Sequence, residues 1–238
     1  MASEPQWMNI KKLSDIIANF NRQVDNRVEL VFFQNCKKGT IEDHYTFRDT
    51  AKYTLSSQIM LGAPNYYYEP MLQFLGREPD INGGELAKMI MEFERSDMYH
   101  SYTVTNNHAV FALPAIIIPL INSVIASSKN DIQLSEVNLF HYMDNRFVDV
   151  ISFFKTITKQ SGADMEIYKK IVKYIKNSMI YNFKQNGKLL GSRAKYYQNL
   201  SGLNSFLPTS RQEFDKYRYL PVFSELKLAE LFNAILFN

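Results

Sequence analysis

The sequence has only one cysteine, Cys36, among its 238 residues. A single cysteine excludes an internal disulfide framework and a cysteine-rich zinc site, and it fits a reducing compartment. Residues 1–6 also lack a basic stretch followed by an apolar run, so they do not resemble a secretory signal. We therefore expect a cytoplasmic protein.

Glycine and proline are scarce as well, with 9 and 8 copies. Such a chain has little material for long linkers or for many turn-linked strands, so we expect helices to dominate. Its residues are 46% apolar and 14% aromatic, which is enough to build one large core or two small lobes.

Acidic and basic residues are absent from Met98–Ser128, which includes the nearly all-apolar stretch Ala109–Ala126. A spanning helix needs about 20 apolar residues. Pro114 and Pro119 interrupt the helical hydrogen-bond ladder here, and Asn122 adds a polar group. We expect a buried core segment and consider a membrane helix unlikely, although the sequence leaves this alternative open.

Apolar spacing predicts most of the secondary structure. An amphipathic helix is expected from Ile10, and Val28–Phe33 is a β-prone run that could form a short hairpin within residues 28–41. Further helices are predicted over the following segments: Tyr45–Leu61, Glu85–Tyr99, Ser135–Gln160, Asp164–Gln185, a short one capped by Ser210 and Glu213, and a last one after Pro221.

The expected fold class is therefore mainly α, a two-lobed helical globule with an arm at each end. The predicted divisions are an N-terminal arm (1–9), an N-terminal helical lobe (10–128), a basic C-terminal helical lobe (129–220) and a C-terminal helical arm (221–238).

Positive charge is concentrated late in the chain. Residues 155–218 carry 13 Lys or Arg against 4 Asp or Glu, a net charge of +9, whereas residues 1–154 carry a net charge of −5. Ordinary surfaces mix the two signs, so this excess indicates a polyanion partner. Single-stranded RNA is the most plausible one, because tyrosines that can stack on bases lie among the cations.

The candidate RNA-binding residues are the following: Lys169, Lys173, Lys176, Lys184, Lys188, Arg193, Lys195, Tyr196, Tyr197, Arg211, Lys216 and Arg218. The lysines of the predicted helix lie opposite its apolar stripe, so they are equally consistent with a solvated surface. An acidic lipid or an acidic protein would also satisfy the charge.

Common catalytic motifs are missing: there is no GxxxxGK(S/T), GxGxxG, HExxH or GxSxG sequence. The four histidines are scattered. We therefore predict no catalytic residue, no metal and no cofactor. A weak alternative is a metal-dependent nuclease, because Asp80, Glu85 and Lys88 loosely match a carboxylate and lysine pattern, but their spacing is too short for it.

Both ends of the chain could serve in self-assembly. The last helix has one apolar face, and an N-terminal arm carries the only tryptophan. The helix would either close its own core or reach a neighbouring copy, with Pro221 as an elbow. The candidate oligomerisation residues are Trp7, Leu228, Leu231, Phe232, Ile235 and Leu236.

The expected chain is helical, carries the basic, tyrosine-containing stretch 188–219 and has arms at both ends. In this organisation it resembles the nucleoproteins of segmented negative-strand RNA viruses, the bunyavirus-like group. Flexible filamentous plant-virus coat proteins share that plan. The resemblance implies sequence-independent RNA encapsidation by a homo-oligomer. The alternative from another class is a helical adaptor or effector that binds a protein through its last helix.

Overall fold

A computed structural model describes residues 9–127, 132–134, 137, 139–142, 145–186 and 200–237. The helices are α1 (Ile10–Gln23), α2 (Ile41–Thr46), α3 (Tyr68–Arg77), α4 (Gly83–Phe93), α5 (Asn107–Val110), α6 (Leu113–Ser127), α7 (Val150–Ser161), α8 (Met165–Tyr174), α9 (Arg211–Asp215), α10 (Pro221–Glu225) and α11 (Leu228–Leu236). The strands are β1 (Leu30–Phe32), β2 (Tyr53–Ser57), β3 (His100–Asn106), β4 (Leu139–Tyr142), β5 (Asn145–Asp149), β6 (Ile180–Asn186) and β7 (Asn204–Phe206).

The first sheet has four strands in the order β1-β2-β3-β6. β1 runs parallel to β2, whereas β3 runs antiparallel to both β2 and β6. The carboxyl ends of β1 and β2 therefore lie at the same edge of the sheet as the amino end of β3. Within the part of the chain that the structure describes, β1 is an edge strand with its other side unpaired.

The two faces of this sheet differ in chemistry. Leu55, Tyr102 and Val104 belong to an apolar cluster with Ile90 and Met91 of α4. The alternate positions of β2 and β3 are hydroxyl-bearing residues that are just as buried: Thr54, Ser56, Ser101, Thr103 and Thr105. This polar face is covered by α2, and the hydroxyl groups are largely hydrogen bonded, as burial requires.

The main core lies beside the second sheet, whose strand order is β4-β5-β7. The apolar segment is part of this core, since Leu113, Ile117, Leu120 and Ile121 of α6 are fully buried there. Asn107–Ser127 is long and apolar enough to cross a membrane by composition. In this fold, the buried face of α6 packs against α7, α8 and α11 instead.

The prediction of a mainly α fold with at most a hairpin is wrong, because two sheets of four and three strands are present. Tyr45–Leu61 is not one helix: α2 ends at Thr46 and β2 follows. β1 pairs with β2 in parallel and does not form a hairpin. Residues 135–160 contain β4 and β5 before α7, whose N-cap is Asp149. Ser135, the predicted cap, lies outside the described residues.

The predicted helix Asp164–Gln185 also stops early. Asp164 caps α8 as expected, but a π-helical turn over Ile175–Met179 leads into β6. Lys184 therefore lies on a strand. The capping prediction at Ser210 is confirmed, since its hydroxyl accepts a hydrogen bond from the amide of Glu213 at 3.1 Å.

Helix α1 forms where it is expected, but its apolar stripe is only partly buried: Ile10, Leu13 and Ile17 are half-buried. Its buried residues are Ser14, Ala18 and Asn21, and the Ser14 hydroxyl donates to the carbonyl of Thr46 in α2. Ile16 and Phe20 are each 54% exposed. The part of the apolar stripe formed by Ile16 and Phe20 is thus left open among the described residues.

Candidate active site

The only cysteine lies just past the carboxyl end of β1. β1 ends at Phe32 and Cys36 follows in the connection to α2, partly exposed to solvent. Ligand sites of α/β sheets form at the carboxyl ends of parallel strands, since the loops there diverge and leave a crevice. The only thiol of the sequence thus lies at the sheet edge where ligand sites form in such folds.

Backbone groups beyond the end of β2 hold the cysteine. The amide of Leu61 donates to Cys36 Sγ at 3.4 Å, and the thiol faces the Leu61 carbonyl at 4.0 Å. The amide of Lys37 donates to the carbonyl of Ile59 at 2.9 Å. A hydrogen bond donated to sulfur favours the thiolate form of a cysteine, which is the nucleophilic form.

The loop after Cys36 needs glycine at position 39. The Gly39 amide donates to the carbonyl of Ser57 at 2.8 Å. A Cβ atom at Gly39 would lie 2.7 Å from the backbone nitrogen and Cα of Gln58. The absence of a side chain therefore lets the cysteine loop lie directly against the end of β2.

An aromatic wall stands on the apolar face of the sheet next to Cys36. The Phe32 ring lies 5.4 Å from that of Tyr67 and 5.7 Å from that of Tyr102. Tyr68 stacks against Tyr67 at 4.6 Å and donates its hydroxyl to Gln34 at 2.9 Å. The wall is rigid, since its inner rings are fully buried.

Several polar atoms within this wall have no hydrogen-bond partner. They are the hydroxyls of Tyr67 and Tyr102 and Oε2 of Glu94, all buried. Burial raises the pKa of Tyr102 above its ordinary value, and the nearby Glu94, Tyr68 and Cys36 raise it further.

Of the histidines, His44 is a structural residue. Its Nδ1 lies 2.7 Å from Thr105 Oγ1 and its Nε2 lies 2.8 Å from Ser56 Oγ, on the polar face of the sheet. Burial lowers the pKa of His44 to about 3. With both nitrogens engaged and the ring neutral, it cannot accept a proton from Cys36.

His100 begins β3 and so lies at the same sheet edge as Cys36. It is 1% exposed, and its ring stacks on that of Tyr102 at 4.5 Å. Neither nitrogen has a hydrogen-bond partner, although the backbone of Lys184 lies beside the ring. Desolvation lowers the pKa of His100 to about 4.

The other two histidines lie elsewhere in the fold. His108 is in α5, past the opposite end of β3 from His100, and His141 is in β4 of the second sheet. Among the side chains that the structure describes, no histidine is hydrogen bonded to Cys36. Within the same residues, no group of three or more His, Cys, Asp or Glu side chains forms a metal site.

The predicted RNA-binding residues are spread over several elements. Lys169 and Lys173 lie on α8, Lys176 in the π-helical turn and Lys184 on β6. Lys169 pairs with Glu166 at 2.6 Å and Lys184 pairs with Glu92 at 2.8 Å. Two of these lysines therefore have acidic partners on the surface.

The remaining basic candidates belong to other regions. Arg211 lies over the Phe237 ring, Lys216 lines a cavity, and Arg218 faces Asp215 at 3.9 Å. Lys188, Arg193, Lys195, Tyr196 and Tyr197 lie outside the described residues.

The predicted oligomerisation helix packs on its own chain. Leu228, Leu231 and Phe232 are buried in the main core, and Ile235 and Leu236 pack against it. Trp7 lies outside the described residues. The nuclease candidates do not converge on a metal site: Glu85 is partly exposed and pairs with Lys88 at 2.7 Å, and Asp80 is exposed in a loop.

The sequence analysis did not single out Cys36 as a candidate site residue. It used the cysteine only to exclude disulfides and zinc. The available signal was its position, a lone thiol directly after the β-prone run Val28–Phe33 and before Gly39.

Comparison with known proteins identifies the fold. A model of the clostripain family matches residues 2–229. A cysteine protease from B. fragilis superimposes with a TM-score of 0.71 at 14% identity, and the match covers 97% of each chain. The arrangement is therefore the caspase-like α/β fold of C11 proteases. No curated protein sequence matches this chain.

Two longer proteases match over most of this chain. An inactive zymogen C11 protease from Parabacteroides distasonis has a TM-score of 0.69 at 15% identity, covering 92% of this chain and 62% of that one. A secreted C11 cysteine protease from Bacteroides thetaiotaomicron, in complex with an irreversible peptide inhibitor, has a TM-score of 0.66 at 17% identity. That match covers 94% of this chain and 64% of the protease chain. This chain thus spans less than two thirds of the length of either.

The family match corrects the functional predictions. The prediction of a viral nucleoprotein that encapsidates RNA is wrong, and so are the alternatives of a protein-binding adaptor and a metal-dependent nuclease. The prediction of a protein without catalysis is also wrong. Single-stranded RNA and a homo-oligomeric partner find no support, whereas one of the matched proteases holds a peptide inhibitor. Because the family model spans nearly the whole sequence, this chain belongs to the clostripain family, whose members are C11 cysteine peptidases.

Proposed function

We propose that this chain carries the nucleophilic thiol of a cysteine peptidase and that the nucleophile is Cys36. The observation that supports this most directly is its position: the only cysteine in the sequence lies at the carboxyl end of β1, partly exposed, with its sulfur held by the Leu61 amide. A peptidase of this class needs one reactive thiol, and no other residue of the chain can supply it.

The chemistry follows that of acyl transfer through sulfur. The Cys36 thiolate attacks the carbonyl carbon of a peptide bond, the C–N bond breaks as the amine leaves with a proton, and a thioester remains on Cys36. Water then attacks the thioester carbonyl and releases the acid, and the thiol regains its proton. A general base that takes the thiol proton and returns it to the leaving amine contributes roughly 10²–10⁴-fold to such a reaction.

We propose that a second segment, added beside β1, brings this base. His44 is fully engaged, His100 is enclosed beside Tyr102, and His108 lies at the other end of the sheet. β1 has an unpaired edge among the described residues. An extended segment that pairs with β1 would run past its carboxyl end and place a side chain next to the Cys36 loop.

Labelling and hydrolysis test the nucleophile. A peptide bearing an irreversible thiol-directed electrophile should add its mass to Cys36, and Cys36→Ala should abolish both the label and the hydrolysis of peptide thioesters or activated peptide esters. Cys36→Ala removes a partly exposed side chain, so the fold should be retained. Hydrolysis that persists in Cys36→Ala would overturn the assignment.

Chemical rescue tests the source of the base. Adding imidazole to the isolated chain should accelerate the Cys36-dependent hydrolysis of an activated peptide ester, because the small base takes the place of the missing group. In Cys36→Ala the same imidazole should produce only its background rate. Full peptidase activity of the isolated chain, with no response to imidazole, would show that the chain holds its own base.

A further inference from the structure

The residue after Cys36 has a backbone conformation that its side chain does not favour. Lys37 has a φ of 57°, in the left-handed region, where glycine, asparagine and aspartate are the usual residues. This conformation costs a lysine free energy, so the surrounding structure must hold it in place. Residues held in this way cluster at functional sites, and Lys37 directly follows the proposed nucleophile in the connection between β1 and α2.

The Lys37 side chain is buried against the second sheet. Lys37 is 3% exposed, and its ammonium nitrogen lies 5.4 Å from the centre of the Phe147 ring in β5. Lysine is among the residues that are least often buried, because its charge is costly to desolvate. A cation over an aromatic face and the burial of a methylene stem are both stabilising. The contact with Phe147 is therefore an anchor that can offset the cost of the left-handed backbone.

Backbone hydrogen bonds fix the same turn against the first sheet. The Lys37 amide donates to the carbonyl of Ile59 at 2.9 Å, and the Leu61 amide donates to Cys36 Sγ at 3.4 Å. Residues 36 and 37 share a planar peptide group, so a change of φ at Lys37 would tilt that plane and shift Cys36 relative to Leu61. The position of the sulfur therefore depends on the conformation of Lys37.

We propose that Lys37 is a positioning residue for Cys36: its side chain, held against Phe147, keeps the turn left-handed, and the turn keeps the sulfur on the Leu61 amide. This inference rests on the proposed role of Cys36 as the nucleophile and adds a support from the second sheet. Lys37 acts through the backbone, so it affects the reactivity of the thiol without taking part in bond formation.

Alkylation of Cys36 by iodoacetamide at neutral pH tests this role, because the small reagent reports on the thiol and not on a substrate subsite. Lys37→Gly removes the anchor and lets the backbone relax, so alkylation should slow by about fivefold, which corresponds to roughly 1 kcal/mol. Lys37→Arg keeps a long cationic side chain and should alkylate within about twofold of wild type. Phe147→Leu loses the ring and should slow alkylation by about twofold or more.

Two controls and a double-mutant cycle separate this role from general effects. Lys38→Gly removes the same charge one residue further along, from an ammonium that faces Asp43 at 3.6 Å, and should alkylate like wild type. Ile121→Val in the main core should lower the free energy of unfolding without changing the alkylation rate. In the Leu61→Pro background, Lys37→Gly should have little further effect, because both changes act through the same hydrogen bond.

Circular dichroism and urea unfolding establish that each variant is folded. A wild-type alkylation rate in folded Lys37→Gly would overturn the proposal, as would equal slowing by Lys38→Gly or additive effects of Lys37→Gly and Leu61→Pro. If Lys37→Gly does not fold, an unchanged rate in Phe147→Leu or a loss in Lys37→Arg of about fivefold would overturn it. Hydrolysis that persists in Cys36→Ala would overturn the nucleophile but would leave these alkylation rates unaffected, so the two proposals can fail separately.

Discussion

The Leu61 amide and the Cys36 sulfur face each other across the gap between the ends of β2 and β1, with the nitrogen 3.4 Å from Sγ. A backbone amide that follows the neighbouring strand therefore donates to the thiol. The side chain of Leu61 takes no part in this contact, so it can be replaced without removing the hydrogen bond.

Replacing Leu61 with proline removes the amide hydrogen and should slow alkylation of Cys36 by iodoacetamide at neutral pH by about tenfold, because the thiolate loses its donor. Leu61→Ala retains the amide and should alkylate at the wild-type rate. Stopped-flow or mass-spectrometric alkylation rates measure this, with circular dichroism to confirm folding. Equal rates in the two variants would show that the contact does not activate the thiol.

Gly39→Ala should destabilise the chain by about 1–3 kcal/mol, the usual range for overpacking. The new Cβ would lie 2.7 Å from the backbone of Gln58, and neither segment is free to move. Gly76 on α3 is the control, because a Cβ there meets nothing within 4 Å. Gly76→Ala should instead stabilise by about 0.5–1 kcal/mol through helix propensity. Urea unfolding of wild type, Gly39→Ala and Gly76→Ala measures the free energy of unfolding and tests both expected changes.

Protonation of the unfolded state at His44 should lower the free energy of unfolding by about 2 kcal/mol as the pH drops from 7 to 5. Its pKa is about 3 in the folded chain and near 6.5 when unfolded, so the unfolded state takes up the proton first and is favoured. His100, with a pKa lowered to about 4, acts in the same direction. Glu42 opposes both, because its raised pKa favours the protonated folded state.

The difference between His44→Gln and wild type isolates this contribution. The variant should be less stable at pH 7 but should lose about 2 kcal/mol less between pH 7 and pH 5. His108→Gln, at an exposed position, should keep the wild-type pH dependence. Parallel pH profiles for His44→Gln and wild type would contradict the buried neutral state.

Gln58→Ala should cost about 2–4 kcal/mol, as the loss of a buried polar network does. The Gln58 side-chain amide donates to Asp149 and Asn204 at 2.9 Å and accepts from the Gly202 amide at 2.7 Å, which joins the first sheet to the second. The Asp149 carboxylate, 2% exposed, would lose this donor. Gln73→Ala, on the exposed side of α3, should change unfolding by less than about 0.5 kcal/mol. A small effect at Gln58 would mean that water replaces the network.

Local signals in the sequence were reliable where the structure depends on local contacts. The caps at Asp164 and Ser210 and the helix from Ile10 are confirmed, since a side chain and an amide two or three residues away decide them. The strands were missed because their partners are distant. In β2, Leu55 is buried on one face while Thr54 and Ser56 are buried on the other, so no alternation of apolar and polar residues marks the strand.

The candidate site was hidden for the same reason. Cys36 and Leu61 come together only through the pairing of β1 with β2, and nothing in their spacing predicts that pairing. The basic stretch drew attention because charge is visible in a sequence, whereas the contact between a thiol and a backbone amide 25 residues away is a property of the fold.

Helix α1 has a practical consequence for anyone who handles this chain. Ile16 and Phe20 are each 54% exposed, and among the described residues β1 adds an unpaired strand edge. Exposed apolar side chains and open strand edges both favour association, so we expect the isolated chain to aggregate at high concentration. Solubility during expression, more than unfolding temperature, will therefore reveal whether that surface is covered.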